Sequence, residues 1–362
     1  MKGFFSKRKN IVLFILLGLC IIINLVSRSA YFVEAYYTSG IYITISKALR
    51  EAFGRLPFSL GDILYAVLIV FLLFRIIRFF RKLFKRKTDK KYLSKCFYTI
   101  AFLILFVYFL FNMLWGINYN RLGIAHQLKL TISKRYSTKE LDSLAKDLIV
   151  KANANRLLLG RKIFFPNNKT LYNEAVQSYR NAENIYPFLQ YQTPSIKSSI
   201  FNLPVTYLGT SGYYNPFTGE AQVNTMLPKF TLPYVVCHEM AHQLGYAAED
   251  EANFAGYLSA SSSFDPLFKY SVYLDLYLFA NRELFFRDSS AAKKNYAMLD
   301  TLVKIDLHEY KSFGMKYENP IEKITSKLYS QYLKANQQPQ GIETYSNVTA
   351  WLIAYKNKYE KL

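Results

Sequence analysis

His238, Glu239 and His242 place two imidazoles and a carboxylate within five consecutive positions. On an α-helix, residues four apart share a face, so the two imidazoles can hold one metal ion. Glu239, one step on from His238, projects beside that site, within reach of a proton on a water bound there. The whole chain has four His, and two of them are here. Thr231 as a cap, Pro233 in the first turn and Gly245 past the end frame a helix around the group. Val235, Val236, Cys237, Met240, Ala241 and Leu244 make its other faces apolar, which predicts a buried helix. Buried imidazoles need a partner, so a metal site explains the segment better than two incidental His on an exposed face. Cys237 lies about 100° around the helix from His238 and reads as a small buried hydrophobe.

The segment HEMAH is the HExxH pattern of zincins. A catalytic zinc usually takes three protein ligands and keeps a fourth position open. Ala248 stands where a metzincin has its third His, so that pattern fails. Residues 249–253 (EDEAN) instead resemble the ExxA(D/N) helix of gluzincin metallopeptidases. That resemblance implies Glu249 as third metal ligand and Asn253, one turn later, as the residue that orients a ligand His. Glu251 is the rival third ligand, because the seven-residue gap from His242 to Glu249 is short. Asp250 is accounted for by the dipole at a helix N-terminus. Three apolar N-terminal stretches, GRLPFSLGDILY, WGINYNR, TGEAQVN and HEMAHQLGYAAEDEANFAGYL together resemble an uncharacterised bacterial family of membrane-anchored, zincin-like proteins. The resemblance implies a zinc-dependent peptidase fold with no substrate assigned.

The elements that must position these groups are mainly helical. Ser137 with Glu140 makes a capping box for a helix over residues 138–157. A second helix is expected over 171–186. Residues 205–208 and 220–224 are short strand candidates, with Gly212, Pro216 and Gly219 as turn residues between them. Residues 220–224, just before the histidine segment, are the candidate edge strand for substrate. Tyr213, Tyr214, Tyr246 and His308 are candidate oxyanion donors. Beyond Pro266 the pattern is helical, broken near 319–320 and 337–341; residues 267–286 read as a buried helix rather than a further span. His126 reads as a solvated loop residue.

The chain has 362 residues, 51% hydrophobic, with net charge +21. Residues 1–117 hold 18 Lys/Arg against 4 Asp/Glu, and the remainder 28 against 21. The excess sits among the most apolar segments, which excludes nucleic acid as partner and points to a lipid bilayer. Three cysteines cannot build a disulfide framework or a four-Cys zinc site. Spans are predicted at about 11–27, 58–80 and 97–116, the last ending in an interfacial Trp115. Arg28, where a cleavage site wants a small residue, argues against a signal peptide.

Lys2, Lys7, Arg8 and Lys9 precede the first span. Ten cations from Arg75 to Lys95 lie between the second and third. Both segments are thereby placed in the cytoplasm; orientation alone accounts for the second, with anionic-lipid binding as the lesser alternative. The expected organisation is an α-rich α+β chain: a membrane anchor over 1–117 and an extracytoplasmic zincin-like domain over 118–362, in a bacterial inner membrane. The expected function is a membrane-anchored zinc metallopeptidase that hydrolyses peptide bonds, with Glu239 as general base. The alternative is a non-hydrolytic zincin-fold sensor or binding protein. A transporter is disfavoured, since Asp62 sits at a span end and no ionisable residue occupies mid-membrane.

Overall fold

A computed structural model describes residues 7–133, 135–341 and 347–362; Lys2 of the basic tail lies outside them. The chain is mostly helical, with one three-stranded sheet. Three helices, Lys7–Val26, Leu60–Phe84 and Lys90–Leu114, contain stretches long and apolar enough to cross a membrane. No residue of the third is buried, and in the second only Gly61 and Asp62 are, with many apolar side chains of both exposed. The first lies along the third, where Tyr98 donates to the Lys9 carbonyl (3.3 Å).

The second and third helices are longer than the expected spans. Most of the cations between them are on helical turns, because Lys and Arg are good helix formers and a C-terminal turn favours positive charge. Ser59 caps the second by accepting from Asp62 N (3.0 Å), and Asp89 caps the third by accepting from Tyr92 N (2.6 Å).

Between the first and second long helices the backbone is helical too: Ala30–Phe32, a π-helical run Val33–Ile41, and Tyr42–Phe53. This segment docks on the rest of the protein. Tyr37 donates to the carbonyls of Asn112 (3.2 Å) and Met113 (3.1 Å), and Thr38 to Asn118 Oδ1 (2.9 Å).

The capping box of Ser137 and Glu140 is present, and the helix it starts runs Thr138–Leu158. It lies along Pro266–Arg287, which is buried on most of its faces. Asn168–Glu183 starts three residues earlier than expected, because Asn167 caps it through Thr170 N (3.0 Å). The helices Leu232–Gln243 and Glu249–Ser261, hereafter the histidine helix and the acidic helix, occupy the centre. Phe254, Tyr257, Phe268 and Leu148 are among the side chains that fill the core around them.

Strands β1 (Ile196–Ser198), β2 (Gly212–Asn215) and β3 (Glu220–Val223) form the sheet in the order β1-β3-β2. β1 runs parallel to β3, with Ile196 opposite Ala221, and β2 antiparallel, with Gly212 opposite Val223. Two expectations are corrected here. Residues 205–208 are not a strand but belong mostly to the helix Asn202–Tyr207: Pro204, with fixed φ and no N–H, suits a helical first turn and outweighs the β propensity of Val and Thr. Residues 220–223 are a strand, but the central one and fully buried; the edge nearest the histidine helix is β2.

Candidate metal centre

The histidine helix is buried on nearly every face, as its apolar neighbours required. Gly245, with φ +83°, turns the chain back so that the acidic helix begins four residues later. Glu249, in the first turn of that helix, meets both imidazoles. Its Oε2 lies 3.3 Å from His238 Nε2 and 3.6 Å from His242 Nε2. The two rings are 4.8 Å apart and perpendicular. One donor atom from each of the three residues falls within 4.8 Å of the others, and all three residues are buried.

The surrounding groups fix these donors. His242 Nδ1 lies 2.7 Å from the Tyr246 carbonyl, which can only accept, so Nδ1 carries a proton and Nε2 is the atom turned toward Glu249. The hydroxyl of Tyr329, from the helix Pro320–Ala335, donates to Glu249 Oε1 (2.6 Å). Burial raises the Asp275 carboxyl to about 6, while the charge of His238 opposes the rise. Burial works against ionisation of Glu249 as well, yet His242 and His238 hold its carboxyl well below the usual range. The converse holds for His242: burial lowers it, but Glu249 and Glu239 together push it up to about 9. The convergence of the three donor atoms within 4.8 Å of one another is what could hold a cation.

Glu239 stands apart from that triad. It is buried, and its Oε2 has no hydrogen-bond partner among the described residues. Burial raises its carboxyl to about 7, with Glu249 adding to the rise and both His opposing it. A carboxyl poised near neutral suits proton transfer. The β2 edge lies directly against it: the position a Cβ would take at Gly212 is 2.6 Å from Glu239 Oε1.

The frame around the histidine helix comes from distant parts of the chain. Tyr42 and Ser46 donate to the Gln243 carbonyl (2.9 and 3.0 Å), and Trp115 Nε1 to that of His242 (3.0 Å). These are the carbonyls that a helix end leaves unpaired. Trp115 is therefore buried against the His242 ring rather than serving as an interfacial anchor. The Gln243 amide donates to the carbonyls of Ser195 (2.9 Å) and Gly219 (2.7 Å) and its Oε1 accepts from Tyr191 (2.6 Å), tying sheet to helix. The second apolar helix is clamped to the sheet. Glu220 accepts from Leu60 N (3.1 Å) and Gly61 N (2.6 Å) at its N-terminus, and Asp62 accepts from Tyr213 (2.5 Å) and Ile200 N (2.8 Å).

Of the residues singled out in the sequence, His238, Glu239, His242 and Glu249 come together. Glu251 does not: it points from the opposite side of the acidic helix, accepting from Ile124 N (3.2 Å) near the buried Arg121–Glu34 pair. Asn253 is buried one turn beyond Glu249, with Tyr234 donating to its carbonyl (3.0 Å). Tyr213 and Tyr214 line the cleft at the centre. Tyr246 turns its hydroxyl away to Gln127 (2.8 Å), and His308 is exposed on Thr301–Tyr317. Cys237 is fully buried, its thiol pushed up to about 12 by burial. His126 is exposed but helical, on Gly123–Gln127. Tyr329 and Asp275 were missed, because nothing local separates either from the many other Tyr and Asp of the chain.

The cleft has a volume of about 1800 Å³. His238, Glu239, His242 and Glu249 lie in its wall, with β2 along one side and Tyr329 and Tyr332 on the other. It continues between the second and third apolar helices, past Tyr65, Leu68, Val107 and Phe111.

No curated protein and no solved structure matches the chain. A family model matches residues 37–353, from the π-helical segment to the C-terminal helix Val348–Tyr359. By that match, which takes in the His-His-Glu cluster, the cleft and two of the three apolar helices, the chain belongs to the family described as Protein of unknown function (DUF3810).

Proposed function

We propose that this protein is a membrane-anchored zinc metallopeptidase with a zincin-like domain. The observation that carries the reading is the convergence of His238, His242 and Glu249 beside Glu239, a buried carboxyl raised toward neutrality, in the wall of an open cleft. Two imidazoles and one carboxylate are a donor set of catalytic zinc sites, and the cleft leaves room for a further ligand. His238 and His242 would hold the ion through Nε2 and Glu249 through Oε2. When bound, zinc supplies a Lewis acid that makes water a nucleophile near neutral pH and polarises a carbonyl.

The chain's own residues do the rest. Glu239 accepts the proton that the attacking water loses and passes it to the leaving amine. The β2 edge, paired on one side only with β3, offers backbone groups along which an extended peptide adds as a further strand. Tyr329 holds Glu249 in place through its hydroxyl. The apolar helices cross the bilayer, and the basic segments next to them keep the N-terminus and the second-to-third connection in the cytoplasm. The cleft then opens on the extracytoplasmic side of a bacterial inner membrane.

The test is Glu239→Gln in the full-length protein. Zinc content stays at one ion per chain, and peptide hydrolysis falls by at least about 100-fold, the lower range for general-base loss. Equal turnover by the variant removes the base from the mechanism. A wild type that binds zinc and cleaves no peptide favours the sensor reading instead.

A further inference from the structure

We infer that the substrate is a peptide carrying a fatty acyl chain, with the chain lying between the second and third apolar helices while the peptide lies along β2. This rests on the peptidase reading and names its substrate class. The cleft does not stop at the polar centre. One wall continues down Leu60–Phe84 as Tyr65, Leu68 and Leu72, spaced to share one helical face, and the other down Lys90–Leu114 as Ile104, Val107 and Phe111. The second stripe, carried on to Trp115 beside His242, spans about 16 Å of helix rise. The groove therefore runs without interruption from hydrocarbon-facing side chains to the catalytic carboxyl.

Beyond the groove the two helices meet where the rings of Phe79 and Tyr92 stack at 6.5 Å and Lys82 Nζ sits 4.1 Å over Tyr92. The lining on these helices runs from the polar centre to Leu72 and Ile104, and a chain attached to the peptide extends along it from that centre. A transmembrane helix is ~10 Å across and has to pass between the two helices beyond Leu72 and Ile104, where Phe79 and Tyr92 already bring them together. A helical substrate also has to unwind before it can pair with β2, whereas a short acylated peptide is already extended. Hydrolysis consumes one water, breaks one peptide C–N bond and leaves a carboxylate on one fragment and an amine on the other. The acyl chain takes no part in the bond change.

The experiment uses the full-length Glu239→Gln protein in phosphatidylcholine nanodiscs. The probes are a fluorescent N-palmitoylated nonapeptide, its unacylated twin, and a transmembrane peptide with the same nine residues outside. Leu68→Trp and Val107→Trp, which fill the groove, weaken binding of the palmitoylated probe at least tenfold. Ile69→Trp, next in sequence but outside the cleft wall, changes it less than twofold, and the unacylated twin responds to none of them. Zinc content and thermal midpoint check folding, and Leu68→Phe and Val107→Phe replace any variant that fails that check. Equal binding by all variants, or a transmembrane probe that binds more tightly with the same Trp sensitivity, overturns the inference. Groove-dependent binding without cleavage by the wild type leaves the groove standing and sinks the peptidase. Cleavage of both twins at equal rates, indifferent to Leu68→Trp, does the reverse.

Discussion

Gly256 packs against the backbone of His238: a Cβ at that glycine would lie 3.1 Å from His238 N and 3.2 Å from its Cα. The acidic helix thus reaches the histidine helix at a distance where a Cβ would be tight by a few tenths of an ångström and a larger side chain would not fit, and Glu249, two turns earlier, is carried into range of both imidazoles. Glycine inside a helix costs about 0.5–1 kcal/mol relative to alanine. Gly256→Ala therefore trades helix propensity against a contact a few tenths of an ångström too tight, and leaves zinc binding nearly unchanged. Gly256→Val forces the helices apart. Competition with a chromophoric chelator should show zinc affinity at least tenfold weaker in the valine variant and nearly native in the alanine one.

Purified full-length protein should hold one zinc per chain by atomic emission. His238→Ala, His242→Ala and Glu249→Ala should each remove it, and Glu251→Ala should not, because Glu251 faces Ile124 and Arg121. Retention of zinc by both histidine variants would refute the centre.

Tyr329→Phe removes one hydrogen bond from Glu249 and nothing from the metal directly. Partners of this kind are worth about 10–100-fold in metal affinity or activity. The expected result is a loss in that range, with a thermal midpoint close to native in the zinc-loaded protein.

The capping box supplies a pH dependence with a definite sign. Hydrogen bonds from Ser137 N and Oγ lower the Glu140 carboxyl below its ordinary value. A depressed carboxyl contributes stability that is present above its unfolded pKa and lost as pH falls through the folded one. Ser137→Ala removes about 1 kcal/mol of cap energy at pH 7. Thermal melts in detergent should show the gap to wild type narrowing below pH 4.5; a gap that widens there would contradict the assignment.

In the proposed topology, three crossings from a cytoplasmic N-terminus carry Leu362 across, so a reporter fused after it should be active only outside the cytoplasm. Activity in the cytoplasm would invert the topology.

Much of this was readable from residue order because it depends on near neighbours. The i, i+4 relation of His238 and His242 follows from helix geometry alone, and apolar neighbours dictated that the helix be buried. The Ser137 box, the Gly245 turn and the three apolar helices are likewise local, each set by side chains within a few turns. Pairing and approach are not local. Glu249 and Glu251 are two residues apart in one acidic run, and which of them faces the imidazoles depends on how the acidic helix is rotated against the histidine helix, set by Gly256 and the turn after Gly245. Residues 220–223 carry strand propensity, but whether they form an edge or a centre depends on β1, twenty-odd residues away, arriving on the other side. Tyr329, Asp275 and Trp115 reach the centre across large sequence separations, and no pattern in a single chain distinguishes them from the tyrosines, carboxylates and tryptophan that fill other roles. Chain order specifies torsion angles and faces; only the packing of those faces specifies which side chains meet.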